Sequence, residues 1–442
     1  MRNTMKRVLI GMNFAFLIII AILVCGCQST PDKAAVVYGG GLEEKIKGSP
    51  EPLAAYDAPL SWQETLDMKG SDIKVEINAT ISVPDVTAFP VYKVKKTTFD
   101  ITRIKPLVDY FTKGRDVIKY KEPTKAELEQ ELLQAKKDND EEWIAELEER
   151  IAAAPETVED EVITDWNPDK SPSGSFLNED GKYASIDISP DRFGYMKTAF
   201  ILSEKWFSES DKYKIEDIAI SKEDAIAAAE DMLHELDIGH MAVGRLEKAL
   251  SYKSLEDAYA QPAEEPLSKG YFVNFARDID GITGITNEGL IYNISDDFAY
   301  KAPLYPEEIR VYVNEAGKVQ SFDWSYPLTI EEKVNENVAL LPFEDVKQRI
   351  RDMFIYFNSY DKLPMKVTSI EMNMAIVDVK EHPEEAMYVP AWFIYYTETY
   401  EDGTQQEVRF ALNAVDGGRV LECPVEIDPG TQQMIDKDLQ KR

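Results

Sequence analysis

Only three side chains in this chain of 442 residues are histidines, the residue type that most often binds zinc or transfers protons near neutral pH. The histidines are His234, His240 and His382. A helix that binds zinc needs two histidines four residues apart, so that both lie on one face. His234 and His240 are six residues apart, which separates them by roughly 240° around a helix of 3.6 residues per turn. The sequence therefore predicts no metal site and no bound cofactor.

The main signatures of catalysis are also missing from the sequence. It contains no Gly-x-Ser-x-Gly elbow and no phosphate-binding glycine loop. Asp278-Ile279-Asp280-Gly281 matches part of a calcium loop, but Ala276 occupies the first ligand position and no correctly spaced glutamate follows. A plain Asp-Gly turn is the better interpretation. We therefore expect no catalytic residue and a protein that is not an enzyme.

An aromatic run near the end of the chain is the candidate binding surface. Residues 389–400 read Val-Pro-Ala-Trp-Phe-Ile-Tyr-Tyr-Thr-Glu-Thr-Tyr. Because side chains alternate between the two faces of a strand, Trp392 and Tyr396 lie on one face, and Phe393 and Tyr395 lie on the other. One face must join the core. The other face is either covered too, which is the commoner arrangement, or open as an aromatic surface for a peptide or glycan.

The first residues of the chain are typical of a secretory signal. Positive charges within residues 2–7 precede an apolar run at 8–24. The segment Val24-Cys25-Gly26-Cys27 resembles the lipobox of bacterial lipoproteins, which implies removal of signal peptide 1–26 and a diacylglycerol on the thiol of Cys27. The alternative is a retained transmembrane helix, for which about 17 apolar residues are at the short limit. We expect a lipid-anchored protein on the extracytoplasmic face of the cell membrane.

The charge of the chain restricts its partners. It has 81 acidic and 49 basic residues and a formal net charge of -32, and removal of the three positive charges in residues 1–26 would give -35. Nucleic acids bind basic surfaces, so a nucleic-acid partner is not expected. Anionic lipids would also repel this surface. The predicted contact with the membrane is therefore the N-terminal lipid, and the predicted partner is another envelope protein.

Composition and periodicity divide the first half of the chain into segments. Residues 27–70 are rich in Gly, Pro and Ala, which predicts a lipidated N-terminus followed by a flexible spacer. Residues 71–219 predict a strand-rich α+β domain that carries a helical hairpin at 123–155. This hairpin begins with a capping box, in which Thr124 caps the helix and Glu127 reaches back to it.

The second half of the chain contains an internal repeat. Glu223-Asp224, near the start of one predicted helix, recurs as Glu344-Asp345 near the start of another, and alternating strands and a glycine turn follow each helix. A helix with one apolar stripe packs against one face of the antiparallel sheet that such strands form. The prediction is an α+β fold with tandem modules at 220–326 and 340–424 and a tail at 425–442.

Two segments resemble PepSY-like domains. Residues 220–227, Ile-Ser-Lys-Glu-Asp-Ala-Ile-Ala, look like the opening of the PepSY-like helix, and residues 410–421 look like the closing strand and turn. The whole chain is also similar to an uncharacterised family of clostridial-type Firmicutes lipoproteins. These resemblances imply extracytoplasmic modules associated with protease propeptides, inhibition and envelope regulation, and they supply no catalytic residue.

Two main classes of function remain. The favoured one is a protein-binding or regulatory envelope module that acts through a sheet edge or through the aromatic face. The alternative is a small-ligand, peptide or glycan receptor, which requires a concave pocket with convergent polar groups. A hydrolase is the third and least favoured class.

Overall fold

Two large β-sheets, with helices packed against them, form the fold. The computed structural model describes residues 41–48, 56–68, 72–121, 123–138, 141–197, 200–204, 215, 217–253, 265–286, 299–360, 362–379 and 382–422. The architecture is α+β and most strand pairs are antiparallel, as the sequence predicts. The segments predicted as signal peptide, lipidation site and C-terminal tail lie outside these residues, and so does Cys27. No helix among the described residues has the length and apolarity needed to cross a bilayer.

The helices and the strands are numbered separately, each in chain order. The helices are α1 Leu42–Lys47, α2 Ile101–Thr112, α3 Lys125–Asp138, α4 Glu141–Ala153, α5 Lys222–Glu235 and α6 Phe343–Tyr360. The first strands are β1 Ser61–Asp67, β2 Lys74–Ser82, β3 Val91–Lys96, β4 Ile118–Lys119, β5 Ser173–Leu177, β6 Tyr183–Ser189, β7 Arg192–Met196 and β8 Phe200–Ser203. The others are β9 Met241–Tyr252, β10 Ser268–Ile279, β11 Ile282–Thr283, β12 Tyr300–Lys301, β13 Glu308–Asn314, β14 Val319–Ser325, β15 Leu328–Asn335, β16 Met365–Val379, β17 His382–Thr399, β18 Gln405–Asn413 and β19 Arg419–Leu421.

The ten-stranded sheet has the order β4-β5-β6-β7-β14-β13-β10-β9-β8, with β11 beside β10. The helices α2 and α5 cover one of its faces. The apolar stripe of α5, formed by Ala225, Ala229, Met232 and Leu233, is buried against inward side chains of the sheet, as the helical spacing predicts. The predicted cap is present too, because the backbone N–H of Asp224 donates to Ser221 Oγ at 3.0 Å.

The nine-stranded sheet has the order β1-β2-β16-β17-β18-β19-β12, and β3 joins β15 to β17. It is a mixed sheet, because β2 pairs with β16 and β12 pairs with β19 in parallel. The buried face of α6 packs against one side of this sheet through Phe343, Val346, Ile350 and Phe354. Four strands that follow α5 form an antiparallel run, β9, β10, β13 and β14, with β11 and β12 between β10 and β13 in the chain, and β16 to β19 form a similar run after α6.

The segment predicted as a spacer, 27–70, contains ordered structure, so that prediction is wrong for its described part. The helix α1 buries Leu42 and Ile46, which are 1% and 5% exposed, against the nine-stranded sheet. The strand β1 pairs with β2 along its whole length. The glycine-rich composition hid both elements, because a six-residue helix is stabilised by tertiary packing and shows little periodicity of its own.

The segment predicted as an N-terminal domain, 71–219, contributes strands to both sheets. The strands β2 and β3 belong to the nine-stranded sheet, whereas β4 to β8 belong to the ten-stranded sheet. The helical hairpin within this segment is formed by α3 and α4, which bury Leu128, Ala135 and Leu147 between them. Its capping box is present, because the backbone N–H of Thr124 donates to Glu127 Oε2 at 2.7 Å.

Candidate functional site

The aromatic run on β17 is buried, so its prediction as a binding surface is wrong. Trp392 and Phe393 are 0% exposed and Tyr396 is 4% exposed. The predicted alternation is confirmed, because Trp392 and Tyr396 pack on the α6 side of the sheet, while Phe393 and the half-buried Tyr395 pack on the other side. Both sides of β17 are covered, since a second apolar cluster that includes α1 lies opposite α6. These aromatic side chains therefore build two cores.

The residues considered as metal ligands are scattered. His234 lies on the exposed side of α5, and Asp278-Ile279-Asp280-Gly281 forms the predicted turn, in which the Gly281 N–H donates to Asp278 Oδ1 at 2.9 Å. Among the described residues, no group of three or more His, Cys, Asp and Glu side chains is arranged to hold a metal ion. Cys423 lies outside the described residues.

The open face of the ten-stranded sheet carries a concave groove of about 390 Å³, which we call the sheet groove. Strand alternation explains its composition. Phe193 and Tyr195 of β7 point to the helices, so Arg192 and Gly194 of the same strand point to the open face. The same alternation places Asp187, Phe272, Glu308, Arg310, Ser321 and Asp323 on this face.

Gly194 forms part of the floor of the sheet groove. A Cβ atom at this position would lie 3.4 Å from Arg192 Nη2 and 3.5 Å from Asp323 Oδ2. Arg192 Nε donates to Asp323 Oδ2 at 2.6 Å, and Ser325 Oγ donates to Asp323 Oδ1 at 2.5 Å. The absence of a side chain at Gly194 leaves space beneath this ion pair.

Arg310 forms a second cationic point in the sheet groove. Its guanidinium carbon lies 3.8 Å from the centre of the Phe272 ring, and its Nη2 lies 3.4 Å from Glu247 Oε2. A guanidinium stacked on an aromatic ring is held in position while its remaining N–H groups stay available to other acceptors. Arg310 is 35% exposed and therefore accessible from the groove.

Tyr326 closes one end of the sheet groove in a strained conformation. Its backbone φ is +55°, a left-handed value that is uncommon for a bulky residue. Its ring stacks on Tyr305 with the centroids 4.6 Å apart and the planes at 24°. Backbone strain of this kind costs of order 1–3 kcal/mol and concentrates at functional sites. The strained tyrosine gives the sheet groove an aromatic end.

A second polar cavity, of about 290 Å³, lies between the two sheets. Arg245 of β9 bridges the sheets by donating to Glu407 of β18 at 2.9 Å. Arg409 forms a buried ion pair with Glu422 at 2.6 Å and donates to the carbonyl oxygen of Thr286 at 3.1 Å. Charged groups around this cavity thus make contacts between the two halves of the protein.

Glu307 forms a buried charge cluster beneath the junction of the sheets. Its fully buried carboxylate accepts from Arg277 Nη1 at 2.8 Å and from Trp324 Nε1 at 3.0 Å, and His240 Nε2 lies 3.6 Å away. Burial raises the pKa of Glu307, but the neighbouring imidazole of His240 and the charge of Arg277 outweigh it and hold the pKa below its usual value. The carboxylate is therefore ionised at neutral pH.

The residues of the sheet groove are not predicted by any pattern in the sequence. Arg192, Arg310 and Asp323 belong to three different strands, and no motif links them. Each strand does carry a signal, because its charged residues alternate with apolar ones. Phe193, Val311 and Phe322 point to the core, and the charged residues beside them point to the other face. That signal predicts an exposed face but cannot show that the strands are neighbours.

No protein-family model and no curated protein matches this chain. One solved structure that it resembles is that of an uncharacterized protein from Eubacterium rectale ATCC 33656, with 16% sequence identity and a TM-score of 0.46. The alignment covers 88% of this chain and 99% of the Eubacterium chain.

Proposed function

We propose that this protein is an extracytoplasmic, lipid-anchored binding protein whose sheet groove holds a short peptide or a similar small ligand. The observation that carries the proposal is the convergence of Arg192, Arg310 and Asp323 around an aromatic-ended concavity of about 390 Å³. Ligand pockets typically have volumes of about 300–1,000 Å³ and a few convergent polar groups. The burial of the aromatic strand removes one of the two surfaces, a sheet edge and the aromatic face, through which the protein-binding module favoured from the sequence would act.

The chemistry of the sheet groove favours a ligand that carries both signs of charge. Two arginines, Arg192 and Arg310, share the groove with three carboxylates, those of Asp187, Glu308 and Asp323. A backbone segment with charged side chains or termini would complement both signs, and its apolar groups would contact the aromatic end. A neutral glycan carries no charge of its own to complement these groups, so it fits the groove less well.

Replacement of Arg192 by Gln tests the sheet groove. We expect a short peptide selected from a library to raise the melting temperature of the full chain in detergent, and Arg192→Gln to weaken its binding by about tenfold, equivalent to about 1.4 kcal/mol. The ion pair that is lost is half exposed, so the unfolding free energy should change by about 1 kcal/mol or less. Thermal shift and isothermal titration calorimetry measure both effects.

Arg150→Gln provides the matched control for this experiment. Arg150 lies on α4 and forms an exposed ion pair with Glu146 at 3.8 Å, away from the groove. Arg150→Gln removes one arginine charge, as Arg192→Gln does, but outside the groove, so peptide binding should stay at the wild-type level. Equal losses in the two variants, or stabilisation only by glycans, would contradict the peptide-binding proposal.

A protein-binding regulatory module is the second candidate, and β1 is the observation that favours it. This seven-residue strand is the end of the nine-stranded sheet and pairs with β2 alone among the described strands. An extended segment of an envelope protein could add to such an edge.

We also propose that the units built on α5 and α6 are tandem PepSY-like modules. A helix followed by a run of four antiparallel strands in each unit supports this proposal.

Cys27 is the proposed anchor, and labelling tests it directly. Cells grown with radioactive palmitate should label the wild-type chain and a Cys25→Ser variant, whereas Cys27→Ser should remain unlabelled. At least two acyl chains are needed for stable retention, at about 0.8 kcal/mol for each buried methylene. The assignment would be contradicted if Cys27→Ser were labelled, or if Cys25→Ser lost the label while Cys27→Ser kept it.

The proposed anchor lies close to the folded body in sequence. Gly41, at the start of α1, is fourteen residues beyond Cys27, and a fully extended chain of that length spans about 50 Å at most. The lipid would therefore hold the body within that distance of the bilayer. Because α1 packs on the nine-stranded sheet, this sheet is tethered more directly than the ten-stranded sheet that carries the groove.

A further inference from the structure

Two turns of the ten-stranded sheet have the same sequence pattern. Residues 178–182 read Asn-Glu-Asp-Gly-Lys and residues 314–318 read Asn-Glu-Ala-Gly-Lys. The first joins β5 to β6 and the second joins β13 to β14. In each turn the asparagine side-chain oxygen accepts from the backbone N–H groups two and four residues later, at 2.8 and 3.2 Å in the first and 3.1 and 3.0 Å in the second. The glycines have φ values of +70° and +69°, so the two turns share one geometry.

The sheet places these two turns side by side. Met196 of β7 lies opposite Ser185 of β6 and opposite Ser321 of β14. Lys182 and Lys318 each precede their serine by three residues, so they occupy equivalent positions on strands two spacings, or about 10 Å, apart. Both turns therefore lie at the same end of the sheet.

Further cations gather between and beside the two turns. Lys197 follows β7 and is hydrogen-bonded to Asp180. Lys113 and Arg115, which follow α2, lie 3.3 and 3.6 Å from Glu179. The hydrogen bond and charge of Lys197, followed by the charges of neighbouring lysines, hold the pKa of Asp180 below its usual value. With Lys182 and Lys318 of the turns, five cationic side chains share this end of the sheet with the carboxylates of Glu179, Asp180 and Glu315.

A cavity of about 580 Å³ opens beside this cationic cluster, and we call it the two-turn cavity. Its apolar wall includes Phe111, Tyr195 and Met232, and the rings of Phe111 and Tyr195 stack with centroids 4.3 Å apart. Its cationic side chains are Lys113, Arg115, Lys197 and Lys318. Its acidic side chains are Glu179, Asp180, Asp231 and Glu235.

The acidic groups of the two-turn cavity are largely engaged. Glu179 contacts Lys113 and Arg115, Asp180 contacts Lys197, and Glu235 accepts from the hydroxyl of Tyr110 at 2.9 Å. By contrast, among the described residues no carboxylate lies within ion-pair distance of Lys318. Lys318 is exposed at the rim, next to the stacked rings. It can therefore pair with an anion from solution while the wall contacts an apolar group.

We propose that the two-turn cavity binds small organic anions, such as aryl phosphates or aryl carboxylates, with the anionic group at Lys318 and the ring against Phe111 and Tyr195. The formal net charge of the whole chain is -32, so most of the protein surface repels such anions. Lys318 offers them a cationic group that is not ion-paired among the described residues and that lies next to an aromatic wall. This site is separate from the sheet groove, because α2 and α5 line it on the opposite face of the ten-stranded sheet.

Phenyl phosphate tests this proposal by isothermal titration calorimetry of the full chain in a non-ionic detergent. We expect saturable binding with a Kd below about 1 mM. Inorganic phosphate, which lacks the ring, should bind at least about tenfold more weakly. Lys318→Glu should weaken phenyl phosphate binding by at least about tenfold and Lys318→Gln by less, since reversal of the charge adds repulsion.

Lys182→Glu is the matched control, because it makes the same charge change in the same type of turn outside the cavity lining. It should weaken binding by less than about threefold. Circular dichroism should show a native fold for each variant, because both lysines are exposed. Equal losses from Lys182→Glu and Lys318→Glu, equal affinities for phenyl phosphate and inorganic phosphate, or no saturable binding of phenyl phosphate would each overturn the proposal.

Discussion

Replacement of Trp392 by Ala should lower the free energy of unfolding by about 3–5 kcal/mol, the usual cost of removing a large aromatic side chain from a core. Trp392 is 0% exposed and contacts the rings of Tyr56 and Phe343, whose centroids lie 5.7 and 5.1 Å from its own. The surrounding strands and α6 cannot collapse fully into the space that the indole leaves. Urea unfolding followed by circular dichroism measures the change.

Two further variants separate a core role for Trp392 from a surface role. Trp392→Phe keeps most of the buried volume and should cost less than Trp392→Ala. Tyr183→Ala removes an aromatic ring from β6 that is 71% exposed, and should change stability by about 0.5 kcal/mol or less. If Trp392→Ala left stability unchanged and abolished only the binding of a ligand, the tryptophan would be a surface residue and its assignment to the core would fail.

Replacement of Glu307 by Ala should destabilise the protein by about 3–5 kcal/mol, because it leaves Arg277 as a buried charge without its carboxylate. Arg277 is 13% exposed, so water screens it poorly. The same change removes the acceptor of the Trp324 N–H. Glu308→Ala is the matched control at the next residue, since Glu308 faces the open sheet groove and its loss should cost about 1 kcal/mol or less.

The contribution of Glu307 should also depend on pH in a defined direction. Its pKa in the folded protein is lower than the usual 4.5, so the folded state favours the ionised carboxylate. Its stabilisation is fully present above about pH 4.5 and is lost as the pH falls through the lower folded value. The stability difference between wild type and Glu307→Gln should therefore shrink when unfolding is measured at decreasing pH below 4.5. A difference that grows in acid would contradict the ion-pair assignment.

The elements that sequence periodicity predicted are those whose burial repeats within a short stretch of chain. The stripe of α5 and the alternation on β17 were both predicted correctly, because each follows from helical or strand geometry alone. The capping box at Thr124 was also found from its spacing. The pattern on β17 left two interpretations of its second face, covered or open, because it cannot show that an element more than 300 residues away, α1, helps to cover that face.

Pairing between distant segments was beyond the reach of the sequence. Residues 71–219 appeared to form one domain because they are continuous, yet β2 pairs with β16 and β7 pairs with β14. The spacer prediction failed for the same reason, since α1 packs on the nine-stranded sheet and β1 pairs with β2, so both elements depend on strands outside the segment. Hydrophobic burial depends on which surfaces meet, and composition carries little information about that.

The sequence by itself determined the acidic character of the protein, the helix-and-strand repeat and the expectation of a lipid on Cys27, because each is encoded in neighbouring residues. Only the tertiary structure decided which charged residues converge. Arg192, Arg310 and Asp323 meet in the sheet groove because β7, β14 and β13 are adjacent strands. Lys318 and Phe111 line the same cavity because α2 lies beside the turn that follows β13. Binding sites form from residues that are distant in sequence, and the pairing of strands and packing of helices bring them together.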